Sequence, residues 1–233
     1  MTVTTSGLTK AAGAAAAAAG ALFIGIQIGH PHLDATSIQT TEVVVRDTLK
    51  VVMAALALAG LTGMYLSQVR RNGVLGLVGW LVLSAGYLLI MGTAFTAAFV
   101  LPEIADANQA YVNDVIDVTN GRTSSADIGA MVAVNQIQGI AYLAGGLLFG
   151  IALFRARVLT RWATLLLAAG GVVTAVLSFM PDAFYRLLAF PNGIAMIALG
   201  IALWRSQRQT APATATTAPA AATSAPVEQP AVR

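Results

Sequence analysis

The chain has 233 residues, 57% of them hydrophobic and 10% charged, and its mean hydropathy is +0.76. A soluble domain carries roughly 25% charged residues, so this chain cannot cover its own surface with polar groups and needs lipid as solvent. The net charge of +3 does not point to nucleic acid, because the basic residues sit in short clusters between apolar runs, and the absence of cysteine excludes disulfides, thiolate metal sites and a Cys nucleophile.

These features predict an all-α integral membrane bundle. A spanning helix needs about 20 apolar residues. Six segments meet that length, at residues 8–29, 51–68, 73–100, 130–154, 158–180 and 183–204. Residues 1–7 are a short N-terminal segment before the transmembrane domain at 8–204.

The first span is nearly all alanine and glycine over residues 11–21, with Lys10 before it. A cleaved signal peptide is therefore the alternative. A retained helix is the better reading, because Phe23 to Ile28 extends the apolar run past the small-residue pattern. Gln27 sits near the end of this span.

His30, Pro31, His32, Leu33 and Asp34 follow it. Two imidazoles and a carboxylate are plausible zinc or copper ligands. The spacing differs from the helical His-to-His step of four, and Pro31 imposes an extended turn. A polar turn capping a helix explains the stretch better than a metal at His30, His32 and Asp34.

Glu42 and Arg46 are four residues apart, and Asp47 and Lys50 three. Both pairs fit ion pairing on a helical extension ahead of the second span, a structural reading that explains them better than the alternative of an anion-binding site. The third span is long enough to tilt or protrude.

Asn135, Gln136 and Gln138 lie about two turns inside the fourth span. Amides in hydrocarbon are costly unless hydrogen-bonded, so Asn135 and Gln138, which share a face, should turn inward. Gln27 and Asn192 are their expected partners. Hydrogen bonding between helices competes with a ligand-lining role for all four residues. Gly146 and Gly150, with Ala141 and Gly145 nearby, allow close helix approach. Pro191 and Asn192 interrupt the sixth span, where proline removes a backbone donor and favours a kink. Residues 205–233 are rich in Ala, Thr and Pro and read as a disordered tail.

Charge sets the orientation. Lys10, Arg70, Arg71, Arg155, Arg157, Arg161, Arg205 and Arg208 occupy alternate connections, and nine of the ten acids fall in the others. The positive-inside rule then places both termini in the cytoplasm of a multi-pass cell-membrane protein, with the acidic loops outside.

Two stretches also match at a constant offset. Arg71, Gly86 and Phe95 align with Arg155, Gly170 and Phe179, and the ending Gly150-Ile-Ala-Leu-Phe-Arg155 recurs as Gly200-Ile-Ala-Leu-Trp-Arg205. Matched arginines at equal depth suggest a parallel hairpin repeat. The basic turn from Arg155 to Trp162, and the last helix with its Gly-Ile-Ala-Leu-Trp-Arg ending, resemble bacterial membrane proteins grouped as domain of unknown function 4386. That resemblance covers residues 10–208 in segment order. It implies a six-helix bundle with no assigned activity, and it carries over no functional residue.

Phosphate-cradling loops and carboxylates within the predicted spans are absent from the sequence, which disfavours nucleotide chemistry and proton-coupled pumping. Two functions remain, with no cofactor implied. The first is a non-enzymatic protein binding a small apolar ligand, a membrane-protein partner or a second copy of itself. The second is a permease for a small neutral solute past Asn135 and Gln138. An outer-face metalloenzyme at His30 and His32 is the distant third.

Overall fold

The computed structural model describes residues 2–177 and 189–209. Phe179, Asp182, the start of the expected sixth span at 183–188, and the tail from residue 210 onward lie outside the described residues.

Eight helices are present among them. They are α1 (Thr5–Gln27), α2 (Thr41–Leu66), α3 (Val69–Phe99), α4 (Leu101–Ile104), α5 (Gln109–Thr119), α6 (Met131–Ala156), α7 (Arg161–Leu177) and α8 (Ala189–Gln209). Of these, α1, α2, α3 and α6 are long and apolar enough to cross a membrane, and residues 161–173 of α7 form a shorter apolar helix.

The long helices close into a ring in the order α1, α2, α3, α6, α7, α8 and back to α1. Small residues bring them together. A Cβ on Gly13 would lie 2.7 Å from the Gly200 carbonyl oxygen, and one on Gly193 would lie 2.8 Å from that of Gly20. Residues 13 and 20 of α1 thus face residues 200 and 193 of α8 in antiparallel order. Gly60 and Gly63 of α2 abut Ala16 and Ala12 of α1, Gly79 and Gly86 of α3 abut Phe149 and Tyr142 of α6, and Gly150 abuts Ala168 of α7. In lipid the solvent does not drive helices together, so such close packing supplies much of the association energy. Gly145 turns towards Leu83 on α3 while Gly150 turns towards α7, so this glycine-rich stretch serves both neighbours of α6.

Leu61, Leu83, Phe149, Leu153, Leu199 and Leu203 fill the interior at 2% exposure or less. Leu81, Leu88, Ile137, Ile140, Val172 and Ile201 face outward and are exposed, as expected where lipid covers the surface.

The antiparallel order gathers Arg70, Arg71, Arg155, Arg157 and Arg161, from the α2–α3 and α6–α7 turns, at one end of the ring with Arg205. That is the basic end. The opposite end carries a cap built from a 3-10 turn (Ser37–Gln39), α4 and α5. Ala35, Ile38, Leu101, Ala105, Val112, Val115, Ile116 and Ile128 make a small second core there with Val43 of α2. Cross-links fix it: the Ala35 N–H donates to Asn113 Oδ1 at 2.8 Å, and Gln39 Nε2 donates to Asp106 Oδ1 at 2.8 Å. Asp114 is 4% exposed and accepts from the Ser125 N–H at 2.6 Å and the Ser125 hydroxyl at 2.9 Å. Those bonds hold its carboxyl below the ordinary value.

Three helix boundaries differ from the ends of the apolar runs. Helix α2 starts at Thr41, ten residues before the apolar run, because Thr40 caps it and Glu42 favours its first turn. The backbone leaves helical geometry at Gly73, where φ is 58°, so the regular part of α3 follows that glycine. Helix α8 continues to Gln209, and the first five residues of the expected disordered tail are helical instead. Pro191 is the third residue of α8 as described.

Candidate functional site

A cavity of about 250 Å³ lies between the cap and the ring. Four helices of the ring supply its polar wall: Gln27 from α1, Asp47 and Lys50 from α2, Thr93 from α3 and Gln138 from α6. The cap adds Leu101, Val115 and Ile116 as apolar surface, and the loop from His30 to Leu33 lies along one side. The volume is just below the usual range for ligand pockets, which begins at ~300 Å³, and suits only a small molecule.

Deeper in the ring lies an aromatic cluster. Phe23, Tyr87 and Tyr142 each lie one turn from a cavity residue: Gln27, Ile90 and Gln138. Tyr87 meets Tyr142 edge to face with ring centroids 5.6 Å apart, and Phe23 tilts against Tyr142 at 6.5 Å.

Asp47 is expected from the sequence as half of a structural ion pair, and it lines the cavity as well. It is 1% exposed. Its Oδ1 accepts from Lys50 Nζ at 2.5 Å, while its Oδ2 is buried with no protein partner. The expected Asp47–Lys50 pairing is present, but it faces inward. Signal for this exists in the sequence. Val43, Asp47, Ala54, Ala57, Leu61 and Met64 are all buried on α2, and their spacing is one helical stripe on which Asp47 sits.

Glu42 and Arg46 also pair as expected, at 2.9 Å. Arg46 does more than that. Its guanidinium donates to the carbonyl oxygens of Ile26 at 2.7 Å, Ile28 at 3.0 Å and Gly29 at 3.2 Å. These are the orphan acceptors at the end of α1, so Arg46 anchors the start of the cavity loop. Arg46→Ala is expected to cost about 2 kcal/mol or more, since bonds to a charged donor carry ~1.5–3 kcal/mol each. Arg46→Lys should recover only part, because an ammonium lacks the planar fork. Thermal unfolding in detergent measures both; an unchanged midpoint for Arg46→Ala would refute the anchoring role.

The expected site residues divide. Gln27 and Gln138 come to the same cavity. Gln138 Oε1 accepts from the Thr93 hydroxyl at 2.9 Å, an interhelical bond between α3 and α6. Asn135 does not join them, because its Nδ2 donates to the Met131 carbonyl at 2.9 Å within its own helix. Asn192 is 3% exposed and packs over Gly170 of α7, away from the cavity lining.

The metal set does not assemble. Among the described residues no three His, Asp or Glu side chains gather as a metal-binding group. Asp34 Oδ1 instead accepts from the Thr36 and Ser37 N–H groups at 2.9 and 2.7 Å. The Ser37 N–H is the leading cause holding its carboxyl below the ordinary value. His30 Nδ1 lies 3.0 Å from the Pro31 carbonyl oxygen. These local bonds shape the turn from His30 to Asp34, which lies along the cavity.

Compared with known proteins, the chain matches no family model, no curated protein and no solved structure.

Proposed function

We propose that this chain is a six-span membrane protein that binds a small molecule in the cavity beneath its cap without transforming it. The observation that carries this reading is the convergence of Gln27, Asp47, Lys50, Thr93 and Gln138, from four helices, on one cavity that also has apolar walls from α3 and the cap. Pockets that combine apolar walls with a few placed polar groups are the usual form of a small-molecule site. The closed ring supports a reading of six spans. Helix α8 lies against α1 at both Gly13 and Gly20, so the two helices share their depth in the membrane. The basic end is cytoplasmic and carries both termini by the positive-inside rule, and the cap faces outward. The resemblance to domain of unknown function 4386 implies the same bundle. The α2–α3 and α6–α7 hairpins read as a duplication, since each carries an arginine at its turn and a glycine, Gly86 or Gly170, packed against a neighbouring helix.

One observation favours a second reading, a permease for a small neutral solute. Asn72, Trp80 and Ser84 place buried polar atoms without protein partners along α3 towards the basic end. Such atoms need water or solute in hydrocarbon.

Single cysteines separate the readings, because the native chain has none. A membrane-impermeant thiol reagent applied from the cap side should modify Ala97→Cys, on the cavity wall, and spare Leu199→Cys, which replaces a 0% exposed residue. Equal protection of both would overturn the binding cavity. Modification of Ser84→Cys as well would favour the permease.

A further inference from the structure

We infer that the cavity selects small neutral molecules that join a hydrogen-bond donor to an apolar body, and that Asp47 is the residue that reads the donor. This deepens the reading above and rests on the cavity being a binding site.

Charge decides against an ionic ligand. Asp47 is paired with Lys50, and the other permanently charged side chain on the cavity wall, Arg122, is paired with Asp117 at 2.7 Å. A cationic ligand reaching Asp47 would meet the Lys50 ammonium, and an anionic one would meet the buried carboxylate. In a low-dielectric site like charges are held apart at high cost.

Hydrogen bonding then decides in favour of a donor. Asp47 lines the cavity, and its Oδ2 is a charged acceptor, buried with no protein donor. A hydroxyl or amide N–H satisfies it without adding charge. The amides of Gln27 and Gln138 can serve the acceptor of the same ligand group, since Gln138 engages Thr93 through its carbonyl oxygen only. Ile90, Ala94, Leu101 and Ile116 remain for an apolar body.

The test uses four probes with one ring and four head groups: cyclohexanol, methoxycyclohexane, cyclohexylammonium and cyclohexanecarboxylate. Each is titrated against thiol modification of Ala97→Cys in the full chain reconstituted in phosphatidylcholine vesicles. Cyclohexanol should protect at concentrations at least about tenfold lower than the other three, because a site built to bond a hydroxyl rejects an analogue lacking it. In Asp47→Leu combined with Lys50→Met, the alcohol and the ether should protect equally. Equal protection by alcohol and ether in the otherwise native chain would overturn the inference, as would stronger protection by either ion or protection by none. Those outcomes leave Ala97→Cys reactive, whereas failure of the binding cavity itself leaves it unreactive without any probe. The wild-type probe series decides the matter even where the double variant does not fold.

Discussion

Gly20→Leu is expected to open the helical ring, costing at least about 3 kcal/mol. A Cβ at position 20 would lie 2.9 Å from the Ile197 backbone nitrogen and closer still to the Gly193 carbonyl oxygen. These are backbone atoms of α8 and cannot rotate away. The only relief is separation of α1 from α8, and lipid exerts no hydrophobic force to hold the helices together once close packing is lost. The control is Gly25→Ala on the same helix, where nothing lies within 4 Å of the new methyl. That change should be neutral or stabilising by roughly 0.5–1 kcal/mol, the usual cost of glycine in a helix relative to alanine. Unfolding midpoints of the two variants in the same detergent compare them directly. Matching midpoints would mean that the Gly20–Gly193 contact does not hold the ring closed.

The same contact accounts for a feature of the sequence that composition alone left ambiguous. The Ala/Gly-rich run of α1 is marginally apolar, and by itself it suits a cleaved leader as well as a span. In the fold it is an interface. Gly13 and Gly20 are seven residues apart, as are Gly193 and Gly200, so each pair recurs on one face of its helix and meets the other pair in register. Sequence periodicity showed the apolar runs but did not say which small-residue faces would meet, because partner choice depends on tertiary order.

The site was legible in part for a similar reason. Gln27 and Gln138 stood out as amides within apolar runs, and both reach the cavity. Asn135 shares a face with Gln138, yet its amide bonds the carbonyl four residues back, a local alternative that spacing does not reveal. The cap was the least legible element. Its helix α5 buries Val112, Val115 and Ile116 at the i, i+3, i+4 spacing of an amphipathic helix, but acids around those positions mark the segment as a loop when only long apolar runs are sought. Asp47 reads as half of an outward ion pair on a helical extension when the second span begins at Val51. Once α2 is extended to Thr41, the carboxylate falls on the buried stripe, and a search for charges on that stripe finds it.

The second large effect concerns that carboxylate. Asp47→Leu alone is expected to cost about 3–5 kcal/mol, because it leaves the Lys50 ammonium, with only 23% of its side chain exposed, beside an apolar wall and without its partner. Adding Lys50→Met should restore most of the loss. Two apolar side chains then occupy the space of the pair, and exchanging a buried ion pair for packed hydrophobic residues is often neutral or stabilising. The interaction energy from the double-mutant cycle should therefore be large and opposite in sign to the single-variant cost. This pattern separates a role in folding from a role in recognition. If Asp47 serves stability alone, the double variant regains both its unfolding midpoint and the wild-type preference for cyclohexanol. If the carboxylate also reads the ligand, the midpoint returns and the preference does not. Should Asp47→Leu alone unfold at the wild-type midpoint, the ammonium has found another partner, and the pair does not hold this end of α2 in place.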